Sequence, residues 1–247
     1  MKQKIGTYTF NVEPYLCDLN GKATLSMLGN FLMKAASMHA EERGFGYDAM
    51  TAIEKAWVLS RLGIQINTYP SVYETVRVQT WIEDVNKIFT QRCFALLNES
   101  GEEIGYGRSI WAAIDIKTRR AVNLVEMDAS LLNYIEADKQ IPVEKIGKIA
   151  NTTSEAVYLY TPKYSDIDIN RHFNSIKYIE HFLDLFEIDT HKNKSVHEFE
   201  IVYLSEAFPK DKLTFHKEQI SDNRFLLELK NSEKDESVCR ASVRFKI

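Results

Sequence analysis

Cysteine is scarce in this chain, positive charge is not in surplus, and long apolar runs are missing, and each shortage excludes a class of function. The three cysteines, Cys17, Cys93 and Cys239, lie far apart. An odd number at such spacing suits neither a disulfide framework nor a zinc site. The six histidines include no HExxH and no close Cys/His pairing, so no metal and no organic cofactor is expected. Lys and Arg number 31 against 35 Asp and Glu, a net charge of -4. General nucleic-acid binding normally shows the opposite balance. No stretch is apolar for long enough to form a membrane helix, and Met1-Lys2-Gln3-Lys4-Ile5 runs straight into strand-like sequence without a signal-peptide core. The expectation is a cytoplasmic protein with no membrane insertion.

What the chain does have is apolar and aromatic material. Hydrophobic residues make up 45% and charged residues 27%, with 13 Phe and 12 Tyr, which is enough for a sizeable core or an apolar ligand pocket. Alternation over Tyr8–Val12 predicts a short strand. Leu25, Leu28, Leu32, Ala35 and Met38 recur at three- and four-residue steps, predicting a helix over 24–42 that Gly44 and Gly46 would end. Four strand-like runs follow at 56–67, 73–85, 88–98 and 104–116, with Asn98-Glu99-Ser100-Gly101 as a hairpin turn.

The order then repeats: a strand at 156–160, a helix at 173–187, and strands at 195–204, 212–218, 224–229 and 237–247. Tyr15-Leu16-Cys17-Asp18-Leu19-Asn20 before the first helix is echoed by Tyr164-Ser165-Asp166-Ile167-Asp168-Ile169-Asn170 before the second. Strand, helix and a meander of strands, twice over, is an α+β layout of two similar domains. The polar stretch 137–153, with Pro142 and Gly147, predicts a linker, giving domains at 1–146 and 147–247.

Asp168, Asn170 and His172 alternate directly before the second helix. If extended they share one face, and they sit where helix N–H groups favour developing negative charge. An acid, an amide and an imidazole beside such amides are what hydrolysis of an activated carbonyl needs. Alone, Asp168 and Asn170 would be simple helix caps and His172 a structural imidazole. Their joint spacing, with Asn174 and Tyr178 nearby, favours chemistry.

This segment resembles the signature of hot-dog thioesterases, most closely that of the acyl-ACP thioesterases of plant plastids and bacteria. Trp57-Val58-Leu59-Ser60-Arg61, Thr68-Tyr69-Pro70, Thr80-Trp81, Ser109-Ile110-Trp111 and Lys117-Thr118-Arg119-Arg120 resemble the same family in order and spacing. The resemblance implies two tandem hot-dog domains, each an antiparallel sheet wrapped around a long central helix. The acyl pocket would lie mainly in the first and catalysis in the second. It implies a hydrolase of fatty acyl thioesters on acyl carrier protein, with Asp168, Asn170 and His172 catalytic. A catalytic Glu on a strand after the helix falls on Glu206 when aligned through Tyr203, with Glu200 the competing choice. Plant members carry Cys directly after that Glu; here it is Ala207, which argues against a cysteine nucleophile.

In the mechanism this suggests, Glu206 and His172 activate water, while Asn170 and a backbone N–H near Phe173 or Asn174 hold the oxyanion. Asp168 steadies the group. Asp18 and Asn20 mirror the acid and amide without the His, as relics of duplication. Trp57, Trp81 and Trp111 are core residues first. Lys117, Arg119 and Arg120 are either a solvated turn or a contact for the acidic carrier. An acyl-CoA thioesterase and a silent acyl-binding module are the other readings, and a hot-dog dehydratase leaves Asn170 unexplained. A tandem chain already pairs two domains, so monomer and homodimer both remain open.

Overall fold

A computed structural model of the chain describes residues 3–246. The expectations for Met1 and Lys2, and for Ile247 as the end of the last strand, lie outside the described residues. The chain divides into two compact units, Met1–Lys145 and Ile146–Ile247.

The first unit runs β1 (Gly6–Asn11), α1 (Leu25–Glu42), α2 (Tyr47–Ala52), β2 (Lys55–Ile66), β3 (Thr75–Val85), β4 (Phe89–Leu97), β5 (Glu103–Asp115) and α3 (Leu124–Met127). Its strands form one antiparallel sheet in the order β1-β3-β4-β5-β2. Thr24 starts α1 by accepting a hydrogen bond from the Met27 N–H at 3.1 Å. Gly44, at φ 81°, ends it in the left-handed conformation that glycine adopts without strain. The buried face of α1 includes Leu25, Met27, Leu28, Leu32, Ala35, Ala36 and Ala40. Each fully buried Leu or Met contributes about 1.5–3 kcal/mol. The helix packs closely on the sheet: a Cβ at Gly107 would come within 2.7 Å of Leu32 Cδ1. All three tryptophan rings donate within this unit, Trp57 to Phe45 O, Trp81 to Lys139 O and Trp111 to Ser109 Oγ.

The second unit repeats the topology with β6 (Ala156–Tyr160), α4 (Lys177–Leu183), α5 (Ile188–Asn193), β7 (Val196–Tyr203), β8 (Leu213–Ser221), β9 (Arg224–Asn231) and β10 (Glu236–Phe245). The sheet order is β6-β8-β9-β10-β7, the same path as in the first unit. Phe182, Phe199, Phe215 and Phe245 are buried in its core.

The helix here is shorter than the periodicity over 173–187 predicts. Phe173 is held in a β-bridge with Ile167, so the helix cannot begin there. After Leu183 the chain turns, the Leu185 carbonyl accepts from Lys217 Nζ, and the Phe186 ring packs edge-on against Phe225 and Phe245 at 4.9 and 5.0 Å. Apolar residues at helical spacing are thus buried by three different local structures. Residues 137–153 contain no helix or strand.

Candidate active site

The loop between β6 and α4 carries three of the four residues singled out for catalysis. Tyr164–Asp166 makes a short 3-10 turn, and Ile167 then pairs with Phe173 as an isolated antiparallel bridge. The bridge closes residues 168–172 into a tight loop. The Asp168 N–H donates to the His172 carbonyl at 2.9 Å, and the Arg171 N–H to the Asp168 carbonyl at 3.0 Å. Asp168 Oδ1 accepts from the N–H groups of Asn170 at 2.8 Å and His172 at 3.2 Å. Asp is suited to this because its short carboxylate reaches amides two residues on. Arg171 completes the turn at φ 65°.

This corrects the expectation of an extended segment with Asp168, Asn170 and His172 on one face. Asp168 instead organises the loop's own backbone. Asn170 sits exposed near its tip, and its side-chain amide has no hydrogen-bond partner among the described residues. The anticipated backbone oxyanion donors are also corrected. The Phe173 N–H is bonded to the Ala207 carbonyl at 2.9 Å and the Asn174 N–H to the Asp166 carbonyl at 2.7 Å. Asn174 Oδ1 accepts from the Ile176 N–H at 2.9 Å, and the Asn174 carbonyl from the Lys177 N–H at 2.9 Å. Of the amides from His172 to Lys177, Ser175 is the one without an acceptor among the described residues.

His172 and Glu206 are brought together. His172 Nδ1 lies 3.3 Å from Glu206 Oε1, with side chains 22% and 35% exposed, so water reaches both. The Phe208 ring meets the imidazole edge-on at 4.9 Å. Glu206 does not lie on a strand, as the family resemblance suggested. It follows the end of β7, in the loop leading to β8. Its place beside the imidazole comes from the next residue: Ala207, fully buried, accepts from the Phe173 N–H and hydrogen-bonds through its own backbone to the Tyr178 hydroxyl. Glu200 sits within β7 opposite Ser242, and the carboxylate at His172 is Glu206. An open cleft of about 640 Å³ is lined by Asp168, Ile169 and Tyr164, but neither His172 nor Glu206 lines it.

The first unit contains the same loop. Cys17 bridges to Ala23, the Asp18 N–H donates to the Lys22 carbonyl at 2.7 Å, and Asp18 Oδ1 accepts from the Asn20 N–H at 2.8 Å and the Lys22 N–H at 3.0 Å. Gly21, at φ 68°, stands where Arg171 does. The Ala23 N–H donates to the Pro70 carbonyl at 2.9 Å, as Phe173 does to Ala207. Lys22 and Tyr69 therefore occupy the places of His172 and Glu206. Backbone architecture is common to both loops, while the imidazole and carboxylate belong to the second alone.

Sequence reasoning missed a cluster beneath the second loop. Asp166, 3% exposed, accepts from the Tyr160 hydroxyl at 2.5 Å, the Lys163 N–H at 2.6 Å and His181 Nε2 at 2.8 Å. Burial pushes the carboxyl up, but these three donors outweigh it and hold Asp166 below its usual value. Burial raises the Tyr160 phenol, and the neighbouring carboxylate raises it further.

Lys117, Arg119 and Arg120 lie together in the exposed turn after β5. Lys117 Nζ is 2.5 Å from Glu54 Oε1, both groups well exposed. Arg119 holds φ 58° and its N–H donates to the Asp115 carbonyl at 2.9 Å.

A five-stranded antiparallel sheet with its helix, made twice in one chain, defines a tandem hot-dog protein. The chain belongs to the acyl-ACP thioesterase family: the model of the acyl-ACP thioesterase N-terminal domain matches residues 4–130 and that of the C-terminal domain residues 149–247. Oleoyl-acyl carrier protein thioesterase 2 of Arabidopsis thaliana is 27% identical over 206 residues, covering 76% of this chain and 56% of the relative. The palmitoyl-acyl carrier protein thioesterase of Gossypium hirsutum is 28% identical over 187 residues, covering 71% and 45%. This chain thus spans about half the length of the curated relatives it matches. The crystal structure of an acyl-ACP thioesterase from Bacteroides thetaiotaomicron superposes with a TM-score of 0.91 at 43% identity, covering 98% of both chains. No helix among the described residues is long and apolar enough to cross a membrane.

Proposed function

We propose that this chain hydrolyses the thioester of a fatty acyl chain carried on acyl carrier protein, yielding free fatty acid and the carrier thiol. The observation that carries the reading is the His172–Glu206 pair, 3.3 Å apart across two neighbouring loops whose counterparts in the first unit have Lys22 and Tyr69 instead. Family membership supports the same chemistry.

Glu206 and His172 take the proton of a water as its oxygen attacks the thioester carbonyl. The Asn170 amide, without a hydrogen-bond partner among the described residues, donates to the developing oxyanion, and the Ser175 N–H is the backbone donor left without an acceptor among them. Asp168 acts on the loop, tying the amides of Asn170 and His172 to one carboxylate oxygen. Collapse of the tetrahedral intermediate expels a thiolate, a tolerable leaving group since a thiol has a pKa of about 8.5. The second unit supplies the chemistry and the first is assigned acyl binding. Lys117, Arg119 and Arg120 form the contact for the acidic carrier.

Thiol release from palmitoyl-ACP and palmitoyl-CoA, measured for wild type, His172→Ala and Asn170→Ala, tests this. Wild type turns over the carrier substrate faster, His172→Ala abolishes turnover, and Asn170→Ala lowers kcat about 10²–10³-fold. Undiminished activity of His172→Ala overturns the site. Faster turnover of the CoA substrate makes the chain an acyl-CoA thioesterase, and no turnover of any acyl length makes it a binding protein.

A further inference from the structure

The first unit is an internal control on the loop of the second. From Phe10 to Phe31, and from Tyr160 to His181, the two segments run residue for residue without insertion, and their loop hydrogen bonds coincide. Three positions beside the loop differ in kind, and one also differs in burial: Leu16 is 38% exposed where Asp166 is 3% exposed. The first unit has Phe10, Leu16 and Phe31, with the two Phe rings stacked at 4.7 Å and 12°. The second has Tyr160, Asp166 and His181, with the two rings at 4.6 Å and 49° and the buried carboxylate bonded to both.

A buried carboxylate is costly unless it is fully hydrogen-bonded. The twin makes the same loop hydrogen bonds over stacked Phe10 and Phe31 with no buried carboxylate, so the loop's backbone does not call for the polar trio. What the polar trio adds is direction. Hydrogen bonds fix angle and distance, whereas stacked rings slide with little penalty. The trio sits at the neck of the loop. The Asp166 carbonyl accepts from the Asn174 N–H at 2.7 Å, and the Phe173 ring packs 5.4 Å from His181 and 6.5 Å from Tyr160. Phe173 is also the donor to Ala207 that sets His172 beside Glu206.

We propose that Tyr160, Asp166 and His181 are positioning residues that hold Phe173, and through it the spacing between His172 and Glu206. They touch no reacting atom. This rests on the reading of His172 and Glu206 as the catalytic pair.

The test writes the first unit's residues into the second, as Y160F/D166L/H181F, alongside His181→Phe, His181→Gln and His172→Ala. For each, kcat and KM on palmitoyl-ACP are measured together with Tm. The triple variant melts cooperatively, its kcat falls about 10–100-fold with KM within about twofold, because displacing a catalytic group by about 1 Å costs up to about 10²-fold. His181→Phe loses about tenfold in kcat, and His181→Gln, which keeps an N–H donor, recovers to within about threefold of wild type. Wild-type kcat in the triple variant, or equal losses in His181→Phe and His181→Gln, overturns the proposal. A triple variant that fails to fold also overturns it, since the trio would then serve stability. An active His172→Ala sinks the catalytic pair itself, whereas an inactive His172→Ala beside a fully active triple variant sinks the positioning role alone.

Discussion

Glu228→Gln removes one negative charge from the interior of the second unit, and the structure gives the size of the consequence. Glu228 lies on β9 with no exposed surface. Its carboxylate accepts from the Thr152 N–H, the Thr152 hydroxyl and Arg240 Nε, each at 2.9 Å, and from the Ser237 hydroxyl. Lys230 Nζ lies 3.8 Å away. Burial pushes the carboxyl up, but the donors from Ser237, Arg240 and Thr152 outweigh it and bring it from 4.5 to about 2. At about 1.36 kcal/mol per pH unit, that difference contributes about 3 kcal/mol to folding. Because the folded value is depressed, the contribution is complete above the unfolded value of 4.5 and disappears as pH falls towards 2. Urea unfolding followed by circular dichroism at pH 7, 5, 4 and 3 measures it. At pH 7 the variant unfolds at about 1–3 M less urea, given about 1–3 kcal/mol/M for a small protein. The gap between the two proteins narrows steadily below pH 4.5, since all other carboxylates titrate equally in both. A gap that stays constant down to pH 3 refutes the reasoning, because the loss then reflects shape rather than ionisation.

Arg171→Gly relieves the left-handed conformation at φ 65° that Gly21 adopts in the twin loop, and raises stability by about 0.5–1 kcal/mol. A Tm below that of wild type contradicts this. Reversing charge at Lys117 and Arg120 to Glu raises KM for the carrier substrate at low salt and leaves KM for the CoA substrate unchanged. The effect fades as ionic strength rises, since the turn is fully exposed, and equal effects on both substrates would exclude the carrier contact.

Period-two and helical patterning located α1 and the strands to within a few residues, because most of them bury one face; β6, exposed over Ala156–Leu159, is the exception. The same patterning over-extended the second helix. Phe173, Ile176, Ile179, Leu183 and Phe186 are apolar at helical steps, yet Phe173 is a bridge residue and Phe186 belongs to an aromatic cluster beyond the helix end. Spacing reports burial and not the backbone that achieves it. Asp168, Asn170 and His172 were legible as candidates, but the shape of their loop was not, since alternation cannot distinguish a strand from a turn closed by an Asp side chain. Glu206 was reachable only through its neighbours, because its partner is 34 residues away in sequence. The Tyr160–Asp166–His181 cluster draws on a strand, a 3-10 turn and a helix, with no motif spacing to betray it. Comparing the two halves position by position carried the signal: three apolar residues in one had become three hydrogen-bonding residues in the other.

The bond that ties the His172 loop to the Glu206 loop joins the Phe173 N–H to the Ala207 carbonyl, and both atoms are main chain. No substitution except proline at 173 can delete it. Other substitutions at 173 and 207 leave the donor and acceptor of this bond in place. The main chain thus forms the link between the two loops, and the Tyr160–Asp166–His181 trio has only to refine a spacing that the backbone already brings about.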